Sequence, residues 1–167
     1  MLKPDALRNI ITRANPYLKR DPDKLQVFLD AGRIVSGGGA SLSYEYRYTL
    51  NIIVQDYPNH ADQVILPMLA YLRTQQPELF ENKELSENLI RFDAEILNQQ
   101  TIDLSLQVDL TERVIVSSGL EGKLTAAHVS EPPHPQFGTE EVTIELRNRQ
   151  NDEVLGTFTV PAWNPTF

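Results

Sequence analysis

Two long stretches of strict alternation constrain this chain more than anything else in it: SLSYEYRYTLNIIVQDY, beginning at Ser41, and TIDLSLQVDLTERVIVS, beginning at Thr101. In an extended strand successive side chains point to opposite faces, so a period of two places one row on a core and the other in water. Leu42, Tyr44, Tyr46, Tyr48, Leu50, Ile52 and Val54 form the apolar row of the first stretch, with Ser43, Glu45, Arg47, Thr49 and Asn51 opposite. In the second, Ile102, Leu104, Leu106, Val108, Leu110, Val114 and Val116 oppose Asp103, Ser105, Gln107, Asp109, Thr111 and Arg113. Strands of this length with one wet face belong to an antiparallel sheet covered on one side.

The other elements follow from local signals. Leu7, Ile10, Ile11 and Ala14 recur at three- and four-residue spacing, which predicts a helix from Lys3 to Ala14, with Pro4 in its first turn and Pro16 ending it. Leu25, Val27 and Leu29 alternate in a first strand where Gly32 suggests a bulge, and Gly37, Gly38 and Gly39 supply a hairpin connection to the Tyr44 strand. Val64, Ile65, Met68, Leu69 and Leu72 predict a second helix despite Pro67 inside it. Ile90, Phe92, Ala94 and Ile96 alternate with Arg91, Asp93 and Glu95 in a third strand. The expected fold class is α+β: an α-β-β-α-β-β core whose antiparallel sheet carries two helices on one face, plus a C-terminal β-hairpin extension. Three regions are expected: the core at residues 1–118, an extended proline-rich linker with a short strand in KLTAAHV at 119–139, and the hairpin at 140–167. A lone hairpin is marginal in water, so this one is expected to dock on the body or on a neighbouring subunit.

Composition removes several function classes. Fifteen basic residues against twenty-three acidic ones give a net charge of −8, which opposes a tight grip on phosphate backbones. There is no cysteine, hence no disulfide, thiolate metal site or cysteine nucleophile. No run approaches the ~20 apolar residues of a membrane span, and MLKPDALRNII lacks a signal peptide's apolar core, so a cytoplasmic origin is expected.

The candidate sites are few. His60, His128 and His134 have no second ligand at metal spacing, and the triple glycine lacks the strand-loop-helix context and Lys-Ser/Thr of a phosphate loop. No catalytic, metal or cofactor-binding residue is predicted, and no cofactor. Tyr44, Tyr46 and Tyr48 make an aromatic ladder that serves as core or as an interface. Glu45, Asp93, Glu95, Asp103 and Asp109 share the polar sheet face with Arg47, Arg91 and Arg113. Cross-strand ion pairing accounts for them, or they form the acidic wall of a channel. A reading of another class is a ligand-binding domain or enzyme in which Asp93 and Glu95 converge with His60.

Further segments carry a resemblance. Asp30-Ala31-Gly32-Arg33-Ile34-Val35, Tyr44-Glu45-Tyr46-Arg47-Tyr48-Thr49-Leu50, Asp56-Tyr57, His60-Ala61-Asp62, Gln76-Pro77-Glu78-Leu79, Arg91-Phe92-Asp93-Ala94-Glu95-Ile96-Leu97 and Leu110-Thr111-Glu112-Arg113-Val114 stand in consistent order across residues 1–117. This set resembles the tail completion protein R (GpR) family of contractile-tailed bacteriophages, whose members are tail-terminator-like. The resemblance implies a late virion protein, also found in prophages, that completes the tail in the host cytoplasm and lets it join a filled head. It implies partners as well: other copies in a ring, by analogy hexameric, the tail tube and sheath, and a head-side connector. DNA would pass through without specific binding. A head–tail connector or baseplate component is the nearest alternative.

Overall fold

A computed structural model describes residues 1–97, 100–119, 122–132 and 140–160. Helix α1 (Lys3–Ala14) buries Leu7, Ile10, Ile11 and Ala14, and the three larger side chains contribute roughly 1.5–3 kcal/mol each by leaving water. Asp5 in its first turn and Arg13 in its last suit the helix dipole. Asn15 then turns extended, because a residue before proline is pushed out of the helical region. Pro16 both stops α1 and opens a short helix α2 (Pro16–Arg20) that the periodicity did not announce. A 3-10 turn over Pro22–Lys24 delivers the chain to the sheet.

Strands β1 (Leu25–Ser36) and β2 (Tyr44–Tyr57) form the long expected hairpin. Its irregularity falls at Asp30, between Leu29 and Ala31, and not at Gly32. Gly32 sits opposite Tyr48, where a Cβ would lie 3.3 Å from that tyrosine's Cβ, so its role is close approach. Leu42 departs from expectation too: it precedes β2 in the loop and is largely exposed.

Helix α3 (Asp62–Gln75) continues through Pro67, which is buried. A proline there cannot donate to the carbonyl four residues back, that of Gln63. Asn15 replaces the missing donor, its Nδ2 reaching Gln63 O at 2.9 Å and Ile11 O at 2.9 Å. The Tyr57 hydroxyl bonds both Asn15 Oδ1 and Gln63 Oε1. A polar cluster thus joins the end of α1, the start of α3 and the end of β2. Two single-turn helices follow, α4 (Glu78–Glu81) and α5 (Lys83–Ser86), the latter capped by Asn82.

Strands β3 (Arg91–Ile96), β4 (Ile102–Ser118) and β5 (Leu124–His128) complete the main sheet. Its order is β1-β2-β4-β3, antiparallel throughout. β5 pairs with the far end of β4, and because Val114 faces both Tyr44 and His128, β5 lies on the same side of β4 as β3. Leu50, Ile52, Val54, Leu104, Leu106, Val108 and Leu110 meet α1 and α3 in one core. The result is a mixed α/β body with a curled antiparallel sheet. Its element sequence is richer than the expected order, since α2, α4 and α5 are interpolated, and β5 occupies the KLTAAHV segment.

The last strands, β6 (Val142–Arg147) and β7 (Val154–Val160), form a separate two-stranded sheet. This hairpin docks on the body, with β7 against α1 and α3 and with Phe158 and Val160 in the main core. Gly156 touches the end of α1: a Cβ there would stand 2.2 Å from Ala14 O. The linker sequence EPPHPQFG, including His134, falls mostly outside the described residues.

Candidate functional site

The register of the sheet fixes which side chains share its outer face. Arg33 of β1 lies beside Arg47 of β2, Glu45 opposite Arg113, Thr49 opposite Asp109, Asp93 opposite Ser105 and Glu95 opposite Asp103. The five predicted acidic residues therefore do share one face, and Arg33, Arg47, Arg91 and Arg113 share it with them. Arg91 holds Asp109 with both terminal nitrogens, at 2.9 and 3.2 Å, and Thr49 Oγ1 donates to the same carboxylate at 2.6 Å. The Arg91 hydrogen bonds, aided by Thr49, outweigh burial and hold Asp109 below the usual carboxylate range. Arg47 Nε reaches Glu45 at 2.5 Å. Asp103 accepts from the Asp56 backbone at 2.7 Å. Asp93 and Glu95 enter no ion pair among the described residues, and Glu95 faces Asp103 directly, a like-charge juxtaposition that destabilises an isolated sheet.

The tyrosine ladder divides. Tyr48 is core, and its hydroxyl donates to Glu112 Oε1 at 2.5 Å. Tyr44 and Tyr46 are half-buried, edge to face at 5.1 Å between ring centres, and Tyr46 stacks on the His128 imidazole at 6.1 Å.

Glu112 is the residue that the sequence reading passed over. It occupies a place in the core-facing row of β4 between Leu110 and Val114 and is only 4% exposed. Its oxygens accept from Leu2 N at 2.8 Å, Lys3 N at 3.0 Å and the Tyr48 hydroxyl, and His128 Nδ1 lies 3.2 Å away. Burial alone would raise its pKa, but Tyr48 and the two backbone N–H groups outweigh it and hold the group below the usual carboxylate range. Beside it, Lys3 Nζ reaches Gln76 Oε1 at 2.6 Å and Glu131 Oε1 at 2.9 Å. Gln76 in turn satisfies Thr111 of β4, accepting from its N–H at 3.2 Å and donating to its hydroxyl at 2.9 Å. The network closes the gap on β4 between β3 and β5. A carboxylate inside an otherwise apolar period was the available signal.

The two sheet edges stand apart from the rest of the molecule. All of β3 beyond Arg91 is exposed, with Phe92 at 67% and Ile96 at 78%, although both belong to the core-facing row. Along β1, everything from Leu29 to Ser36 is exposed, including Ile34 at 66%.

His60 pairs with Asp62 at 3.0 Å on an exposed loop. An open cleft of about 540 Å³ lies between Gly32, Tyr48, Asp109 and Thr111 on the sheet and Gln76, Leu79 and Leu85 beside it. A second, of about 500 Å³, runs from Met1 to Ile34 and Tyr46. Neither of these two clefts is lined by His60, Asp93 or Glu95. Among the described residues no three His, Cys, Asp or Glu side chains are grouped to hold a metal ion.

Comparison with known proteins places the chain. No solved structure matches it. The tail completion protein R of Escherichia phage P2 is 45% identical over 136 residues, covering 81% of this chain and 87% of that protein. The family model described as P2 phage tail completion protein R (GpR) matches residues 1–132, which takes the likeness past β4 and through β5 and leaves the β6–β7 hairpin outside it. The chain belongs to the P2 phage tail completion protein R (GpR) family.

Proposed function

We propose that this protein completes a phage tail: several copies, six by analogy with tail terminators, close into a ring on the head-proximal end of the tail tube. The ring stops tube and sheath growth and offers the head-side connector a seat. The observation that carries this reading is the 45% identity to the phage P2 tail completion protein R across most of both chains. The form of the molecule is compatible with it. An assembly role by shape needs strand edges and apolar surface at the periphery, and β1 and β3 supply both. It functions in the virion tail, after assembly in the host cell, without forming or breaking a covalent bond.

On this reading Glu95 and Asp103, which no arginine of the described residues neutralises, line the passage and keep DNA sliding. Tyr44 and Tyr46 are offered as interface residues, whereas Tyr48 serves the core.

The test is deletion of the gene from its phage or prophage, followed by induction and negative-stain electron microscopy. Overlong or unjoined tails beside DNA-filled heads are expected, with repair by the gene supplied in trans. Normal joined particles would discard the proposal. For the acidic passage, E95K with D103K is expected to slow DNA ejection measurably from otherwise normal particles. Unchanged ejection would remove these residues from the channel.

A further inference from the structure

We infer that neighbouring copies join head to tail by an antiparallel pairing of β3 in one copy with the outer half of β1 in the next, so that each ring sheet continues into its neighbour. The inference rests on the ring reading and names the surface that makes it.

Four observations converge on this joint. The first is polarity. In the order β1-β2-β4-β3 every neighbour is antiparallel, so the two edge strands themselves run in opposite directions. Setting β3 beside β1 of a rotated copy continues the alternation without a break, the heterologous contact that a closed ring requires.

The second is hydrogen bonding. On β4 the backbone groups of Thr111 and Arg113 reach toward the β3 side, bonding Gln76 and Val129. These are outer-face residues, so on β3, which runs the other way, the groups pointing off the sheet belong to Phe92, Ala94 and Ile96. On β1 the corresponding groups belong to its core-facing residues. Arg8 shows this at the inner half, where it occupies the carbonyls of Leu25 and Val27 at 3.2 and 3.3 Å. Beyond the irregularity at Asp30 the outward groups are those of Gly32, Ile34 and Ser36, and no hydrogen bond occupies them among the described residues. The free length of β1 is thus its outer half, and the outward groups on both edges belong to one sheet face.

The third is side-chain matching. Opposing Phe92 with Ile34 and Ala94 with Gly32 joins the exposed apolar members of the two core-facing rows and puts the smallest residues together. The same register opposes Asp93 with Arg33 and Glu95 with Ala31 on the outer face. Arg33 and Asp93 are each without an ion-pair partner among the described residues, whereas Arg47 and Arg91 on the same face are both paired. The fourth is that neither β1 nor β3 contains lysine or proline, two of the guards of an exposed strand.

The natural absence of cysteine gives a clean assay. Pairs R33C with D93C, and separately A31C with E95C, are placed in one chain, mixed with tail tubes from the deletion lysate and oxidised. Within one copy the two positions lie three strand spacings apart across the sheet and are offset by six residues along it, a separation of more than about 14 Å and too far for a disulfide. In the proposed joint they fall within bridging distance. The expected result is a ladder of covalent multimers, lost on reduction and absent from each single-cysteine variant. Reduced variants with wild-type circular dichroism establish that the fold survives, and the second pair answers for the first should one fail to fold. An amine-reactive cross-linker is applied in parallel to wild-type protein on tubes. Multimers there but none from either cysteine pair would overturn the β3–β1 joint and leave the ring standing. Multimers from single-cysteine variants would overturn it in favour of an isologous contact. Benzophenone attached at D93C and trapped on a tube subunit would give this edge to the tube instead. No multimer by any reagent would overturn the ring and the joint together.

Discussion

Glu112→Gln is the perturbation with the largest predicted effect for the smallest change in shape. In the wild type one carboxylate oxygen takes Lys3 N–H and the Tyr48 hydroxyl, and the other takes Leu2 N–H with His128 alongside. An amide keeps one acceptor oxygen, and its NH₂ must point at a donor. Hydrogen bonds to a charged group are worth about 1.5–3 kcal/mol and roughly half that when the charge is gone, so three donors lose about 1 kcal/mol each. Fraying of the terminus into water recovers part of this, leaving about 2–3 kcal/mol. For a chain of this size that corresponds to a fall in Tm of roughly 5–10 °C, read by circular dichroism at pH 7. The sign with pH is determined by the depressed folded-state pKa of Glu112. Its stabilisation is complete above the unfolded carboxylate value, about 4.3, and is lost as pH falls through the lower folded value. The difference between wild type and E112Q should therefore shrink in acid below that value. Hydrogen exchange should show the Leu2 and Lys3 amides exposed in E112Q. A Tm at pH 7 within about 1 °C of wild type, or an undiminished difference in strong acid, would refute the reasoning.

Three further outcomes follow from the same geometry. Asn15→Ala strips a donor from Gln63 O and Ile11 O and an acceptor from Tyr57, three buried groups at about 1 kcal/mol or more each, and should lower urea stability by about 3 kcal/mol. Gly156→Ala drives a Cβ into Ala14 O and should detach the β6–β7 hairpin, seen as new protease cleavage within residues 140–160, with the main sheet intact by circular dichroism. Asp109→Asn breaks the Arg91 pair on an exposed face and should cost no more than about 1 kcal/mol, with the loss diminished at high salt.

What could be read from the sequence, and what could not, separates along a physical line. Period-two alternation located β2 and β4 and assigned nearly every side chain to its face, because a slip by one residue would expose a whole row. It could not see that the row ends before its last apolar member. Phe92 and Ile96 obey the same alternation as Leu104 and Leu106, yet the helices cover only the latter pair. Whether an edge strand is covered depends on where α1 and α3 sit across the sheet, which no local pattern encodes. Asn15 illustrates the complementary gap: the sequence flags Pro67 as a defect in α3, but the amide that repairs it comes from 48 residues away. Glu112 combines both cases. Its position in the apolar row was legible, and the donors that make a buried carboxylate tolerable come from Leu2, Lys3 and Tyr48, distant in sequence.

In the proposed joint, the bared apolar row on β3 is the surface that assembly uses. In a free monomer it is a liability, since exposed Phe92 and Ile96 on a sheet edge invite pairing. The carboxylates of Asp93 and Glu95 on the opposite face temper that tendency, because like charges oppose β3–β3 contact between identical copies while leaving a β1 edge that carries Arg33 acceptable. Under the proposed joint, such a chain is expected to remain unassembled at low concentration and to polymerise once a template fixes the rotation between copies.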